Sequence, residues 1–179
     1  MSASDDKKDW PEVERRNAER RRGRERRTRA DRRNEAAWVP IPLDADEEAA
    51  QERTLIDTAR EARQRAQAPY SNFKVGAALQ LPNGPIVGGC NIENATYGLT
   101  LCAERVALVK ALSDGHTIFS RIAVVADTES PTPPCGPCRQ LLWEYCGDIE
   151  IILANLHAVT GRHRLSELLP IPFDGRLLK

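Results

Sequence analysis

Three cysteines and one glutamate carry the strongest chemical signal in this sequence. They fall in two short stretches, Cys102-Ala103-Glu104 and Pro134-Cys135-Gly136-Pro137-Cys138. Each stretch opens a predicted helix, and a helix N-terminus offers unpaired N–H groups and partial positive charge that favour thiolate over thiol. Two such ends facing each other would hold three thiolates around one Zn2+. Three protein ligands leave the fourth tetrahedral position for water, the arrangement of a catalytic rather than a structural metal site. Glu104, two residues beyond Cys102, is close enough to reach that water without joining the metal. A carboxylate so placed takes the water's proton and later delivers it to a leaving group. Simpler readings are a redox pair, or a closed four-cysteine site that recruits Cys90 or Cys146. Both leave Glu104 idle.

An alternation of helices and strands has to bring those two stretches together. Leu55, Ile56, Ala59, Ala62 and Ala66 have helical spacing, with Pro69 as the stop. Residues 73–79 and 86–92 read as strands of one hairpin, turned by Pro82-Asn83-Gly84. A helix is predicted from Cys102 to Leu112, a strand from Ile118 to Ala126 and a helix from Cys138 to Cys146. Ile149 to Leu153 reads as a further strand, and Leu165 to Leu169 as a short helix before Pro170. Such alternation implies an α/β layered domain.

Charge divides the 179-residue chain. Its 26 basic and 26 acidic side chains cancel, yet residues 1–33 hold 13 basic against eight acidic. Residues 15–33 contain eleven arginines and no large aliphatic side chain, too little apolar surface to fold alone. Trp38-Val39-Pro40-Ile41-Pro42-Leu43 favours an extended linker, since each proline restricts itself and its predecessor. Residues 1–45 are therefore expected to form an arm and linker, mobile or helical, and residues 46–179 the domain. The arm reads as a solvated segment or as a binder of polyanions such as nucleic acid. No run of 18 apolar residues could span a membrane, and the first dozen residues lack the apolar stretch of a secretory signal. An odd count of five cysteines in such a chain favours metal or thiol chemistry over disulfides, and a cytoplasmic setting.

Four stretches resemble the small, homotetrameric, zinc-dependent cytidine deaminases. They are residues 70–78 (Tyr-Ser-Asn-Phe-Lys-Val-Gly-Ala-Ala), Asn91-Ile92-Glu93-Asn94, Cys102-Ala103-Glu104-Arg105 and residues 134–140 (Pro-Cys-Gly-Pro-Cys-Arg-Gln). The closing Leu168-Leu169-Pro170-Ile171-Pro172-Phe173 also fits, and the ligand-x-Glu…Pro-Cys-x-x-Cys layout is the zinc deaminase signature. Pro134 and Pro137 stand where that family more often has Ser and Ala. The resemblance implies a three-layer αβα fold around a mixed five-stranded sheet, a homotetramer and one Zn2+ per chain. It implies hydrolytic deamination of free cytidine and deoxycytidine, with release of ammonia, in pyrimidine salvage. By the same resemblance, Cys102, Cys135 and Cys138 are the zinc thiolates and Glu104 the proton shuttle. Asn91 and Glu93 hold the ribose, Phe73 packs near the base, and the backbone of Ala103 reads the pyrimidine edge. Phe173 enters a neighbouring subunit's site, with Tyr97 beside it. Arg105 offsets the −1 charge of three thiolates on Zn2+. Two other functions fit less of the chain: deamination of another cytosine nucleoside such as blasticidin S, and nucleic-acid binding on a deaminase scaffold.

Overall fold

The computed structural model describes residues 44–82, 85–173 and 175–178. The expectations for residues 1–43, and for the Asn83-Gly84 part of the first turn, lie outside them.

Helix α1 (Ala45–Gln64) starts on a capping box. Asp44 accepts hydrogen bonds from the N–H groups of Asp46 and Glu47, at 3.0 and 2.8 Å, while Glu47 accepts from the Asp44 N–H. These pairings satisfy N–H groups that the first turn leaves without partners. The helix stops at Gln64, short of the predicted Pro69. The chain is taken over there by a β-bridge: Gln67 N–H donates to the Asn91 carbonyl, and Glu93 N–H to that of Gln67.

Five strands follow: β1 (Val75–Gln80), β2 (Ile86–Cys90), β3 (Arg121–Ala126), β4 (Glu150–Ala154) and β5 (Val159–Arg164). Their spatial order is β2-β1-β3-β4-β5. Only β3 and β4 run parallel, so the sheet is mixed. Between strands lie α2 (Ala103–Ser113) and α3 (Gly136–Cys146), with a single-turn α4 (Leu165–Leu168) after β5.

The period-two alternation of strand side chains divides the core into two. On one face Ala77, Leu79, Ile122, Val124, Ile151 and Leu153 pack with Ala107, Leu108, Leu142 and Leu165 of the three later helices. On the other, Ala78, Ala123, Val125 and Ile152 meet Leu55, Ile56 and Ala59 of α1. This is the expected three-layer αβα arrangement. The central β3 is buried at every residue, which explains its unbroken apolar run.

Close approach on both faces depends on glycine. A Cβ at Gly76 would lie 2.0 Å from the Ala59 carbonyl oxygen on α1, and one at Gly89 2.4 Å from the Ala107 nitrogen on α2. Hydrogen therefore sets how near α2, which carries Glu104, lies to the sheet. The edge strand β5 has no counterpart in the apolar pattern of the sequence. Its residues, Val-Thr-Gly-Arg-His-Arg, are exposed or half-buried, and charge on an edge discourages further strand pairing.

Candidate active site

Cys102 and Cys135 are the N-cap residues of α2 and α3, and Cys138 lies in the first turn of α3. The two predicted helix starts thus face each other. Sγ of Cys102 lies 3.7 Å from Sγ of Cys135, which lies 3.2 Å from Sγ of Cys138, and all three sulfurs fall within 4.8 Å of one another. Tetrahedral Zn–S bonds of about 2.3 Å place sulfurs about 3.8 Å apart, so the triplet has the dimensions of a zinc site. Cys90 and Cys146 do not join this cluster. Cys146 packs against the larger core, where burial pushes its thiol up to about 12. The donor set has three sulfurs, not four.

Electrostatics around the sulfurs are uneven. Cys102 is drawn down to about 5, first by the hydrogen bond it shares with Cys138 and then by Arg105 and Cys135. Cys138 moves up for the reciprocal reason and through burial, keeping the proton the pair shares. Arg105 donates through Nη2 to the Thr100 carbonyl at 2.6 Å and to Cys102 Sγ at 3.6 Å. Its Nε is buried without a hydrogen-bond partner among the described residues. This cation is anchored beside an anionic sulfur, as compensation of three thiolates requires.

Glu104 is the second residue of α2 and only 5% exposed. Burial pushes its carboxyl above the usual range, and the charge of Cys102 adds to that, while a hydrogen bond from Cys138 and the charge of Arg105 oppose it. Ala103, fully buried before it, makes this turn part of the core. A carboxyl group held here beside sulfur ligands has the position of a proton shuttle.

Asn91, Glu93, Phe73 and Tyr97 gather around one loop. Asn91 is 8% exposed, and its amide is already engaged: Oδ1 accepts from the Val75 N–H and Nδ2 donates to the Phe73 carbonyl, each at 2.8 Å. Glu93 accepts from the N–H groups of Tyr70 and Ser71 and from the Ser71 hydroxyl. The Ser71 hydroxyl and these N–H groups hold its carboxylate below the usual range. Both side chains thus fix residues 70–75, the stretch that presents Phe73. Asn72 in that loop has φ 56°, a left-handed conformation that asparagine tolerates better than most residues. Tyr70, Ser71, Glu93, Tyr97 and Thr100 line an open cavity of about 330 Å3, at the small end for ligand pockets. The Tyr70 and Tyr97 rings meet edge to face with centroids 6.3 Å apart.

Phe173 is not part of that cavity lining. The residue is 57% exposed, and its backbone is tied to Gln140 of α3 by two hydrogen bonds. Ser71, Thr100, Arg139 and Gln140 have contacts here that no motif in the sequence assigns to them. The one available signal was their place beside assigned residues: Ser71 precedes Phe73 by two, and Arg139 and Gln140 follow Cys138.

Comparison with known proteins agrees with this geometry. The family model for the cytidine and deoxycytidylate deaminase zinc-binding region matches residues 49–154. A cytidine deaminase from Halalkalibacterium halodurans is 52% identical over 122 residues, covering 68% of this chain and 92% of that protein. The crystal structure of a cytidine deaminase from Burkholderia pseudomallei, 47% identical, superposes with a TM-score of 0.65 over 68% of this chain and 98% of its own. A blasticidin-S deaminase from Bacillus cereus is 30% identical over 107 residues, 55% of this chain and 76% of that protein.

Proposed function

The chain belongs to the cytidine and deoxycytidylate deaminase family, and from that membership we propose that it hydrolyses free cytidine and deoxycytidine to uridine and deoxyuridine, releasing ammonia. The observation that carries this reading is the sulfur triplet of Cys102, Cys135 and Cys138 across two helix N-termini, with Glu104 buried in the first turn of α2. Those three sulfurs would hold Zn2+, which would supply Lewis-acid polarisation and make a water molecule more acidic than in bulk. Glu104 takes the proton of the attacking water and later delivers it to the departing amine. Water oxygen bonds to C4 of the pyrimidine, one water proton ends on N3 and the other on the exocyclic amine, the C–N bond breaks, and ammonia leaves. Arg105 balances the sulfur charge, and the Ala103 backbone faces the pyrimidine edge.

Asn91 and Glu93 bind the ribose hydroxyls with the acceptor and donor capacity that the 70–75 loop leaves them. Phe73 packs near the base. Phe173 reaches the site of a neighbouring subunit, beside Tyr97, in a homotetramer. Residues 46–179 act as the catalytic unit, in a cytoplasmic salvage role, and any nucleic-acid contact belongs to the arm. Among the described residues no helix is long and apolar enough to cross a membrane.

The test is a purified-protein assay of cytidine, deoxycytidine, blasticidin S and adenosine side by side, with zinc measured per chain. Turnover of the two pyrimidine nucleosides with about one zinc per chain is expected. Zinc-loaded protein that turns over blasticidin S alone, or none of the four, would overturn the reading.

A further inference from the structure

The first turn of α3 reaches beyond the cysteines to the C-terminal tail. Arg139 donates through Nε to the Pro134 carbonyl at 2.7 Å and through Nη1 to the Leu168 carbonyl at 2.8 Å. Gln140 pairs with the backbone of a single residue: its Nε2 donates to the Phe173 carbonyl at 2.6 Å, and its Oε1 accepts from the Phe173 N–H at 3.1 Å. Between these two anchors the tail has little to hold it. Pro170 and Pro172 lack N–H groups, the stretch has no regular structure, and Ile171 is 92% exposed. Phe173 itself is exposed. Its place is set from the backbone side.

We propose that Gln140 is a positioning residue for nucleoside binding, acting through Phe173: its carboxamide fixes where the ring leaves the protomer and so where the ring meets the nucleoside in the neighbouring subunit. The proposal rests on the placing of Phe173 in that site. Gln140 touches neither sulfur nor Glu104 in these contacts, so losing it weakens substrate capture and leaves the chemical step alone. Arg139 is a poorer probe, because it also holds the carbonyl that precedes Cys135.

The experiment compares Gln140→Ala, Gln140→Met, Phe173→Ala and the Gln140→Ala/Phe173→Ala double variant on cytidine, with kcat, KM, zinc content and Tm for each. Methionine keeps the side-chain volume without the hydrogen bonds, so it separates the clamp from simple packing. Two lost hydrogen bonds predict a KM raised roughly five- to thirty-fold in both single Gln140 variants. kcat stays within about two-fold and zinc is unchanged, since the sulfur and proton-shuttle contacts are intact. The double variant is no worse than Phe173→Ala alone, because both changes act through one ring. A KM unchanged in the Gln140 variants while Phe173→Ala raises it overturns the clamp. So do multiplicative effects in the double variant, or a fall in kcat or zinc content. If Phe173→Ala leaves KM unchanged, the proposal fails at its premise, and the fault lies in the placing of Phe173 rather than in the clamp.

Discussion

Glu104 shows how much one position can ask of one side chain. It is buried in the first turn of α2, next to a fully buried Ala103 and a cysteine ligand candidate. Replacing it by glutamine keeps the shape and removes the ability to accept or relay a proton. Glu104→Gln is expected to keep its zinc and its fold and to lose at least 100-fold in kcat, since general acid–base catalysis contributes roughly 10²–10⁴-fold. Metal analysis beside a single-turnover assay checks this; a zinc-loaded variant with a tenth of normal kcat would exclude Glu104 as the shuttle. Glu104 and the three cysteines were legible in the sequence because their spacing is local. A step of two residues from ligand to carboxylate, and of three from one paired cysteine to the other, is set within a single helix turn. Ser71 and Gln140 were not legible as working residues. Their tasks come from partners 22 and 33 residues away, at Glu93 and Phe173, and no local spacing encodes those meetings.

At the scale of elements, the helix that carries Glu104 is placed by a missing side chain on β2. A methyl at Gly89 would sit 2.4 Å from the Ala107 nitrogen and 2.7 Å from the Ala103 carbonyl oxygen, so α2 would have to shift. At Gly88, on the other face, a methyl meets nothing closer than the Thr58 side chain, at 3.3 Å, with Ala62 Cβ at 3.5 Å. Gly89→Ala is therefore expected to destabilise by roughly 1–3 kcal/mol and to lower kcat, with Gly88→Ala much milder. Thermal melts and steady-state rates on the pair check this, and equal effects would show that α2 is not held by this contact. Element order was legible where apolar periodicity is strong, as in β3 and α2. β5 escaped because an exposed edge strand needs no apolar face, and its identity comes from pairing with β4. The true end of α1 escaped as well, since a long-range bridge at Gln67, not Pro69, captures the chain.

For the whole molecule the uneven charge is the feature to test. Residues 1–43 carry 13 basic and nine acidic side chains, and the residues that follow carry 13 and 17. A truncation should begin at Asp44 rather than beyond it, because Asp44 caps α1. Removing residues 1–43 is expected to leave kcat/KM for cytidine within about two-fold, as every matched motif lies further along, and to abolish low-salt binding to RNA or heparin by the full chain. That binding should weaken steeply with added salt, as counterion release demands. Loss of most kcat/KM on truncation would place the arm in the site or the assembly. Equal RNA binding by both proteins would move the polyanion contact onto the domain.

Cys102 and Cys135 hold the N-cap positions of two helices, yet neither side chain bonds to an N–H of its own helix. An ordinary capping side chain contributes about 1 kcal/mol, so each helix begins without that support. An ion shared by both sulfurs is then also a cross-link, closing a loop of 33 residues much as a disulfide would. Because the unfolded chain holds no such site, metal affinity becomes folding free energy, about 4 kcal/mol at a free concentration a thousand times Kd. Chelation should lower Tm by roughly 5 °C or more, and amide exchange should quicken first at residues 103–106 and at Gly136, Cys138 and Arg139, while β1 and β3 stay protected. A chelated protein with unchanged Tm and exchange would mean that the two helix starts are fastened by packing alone.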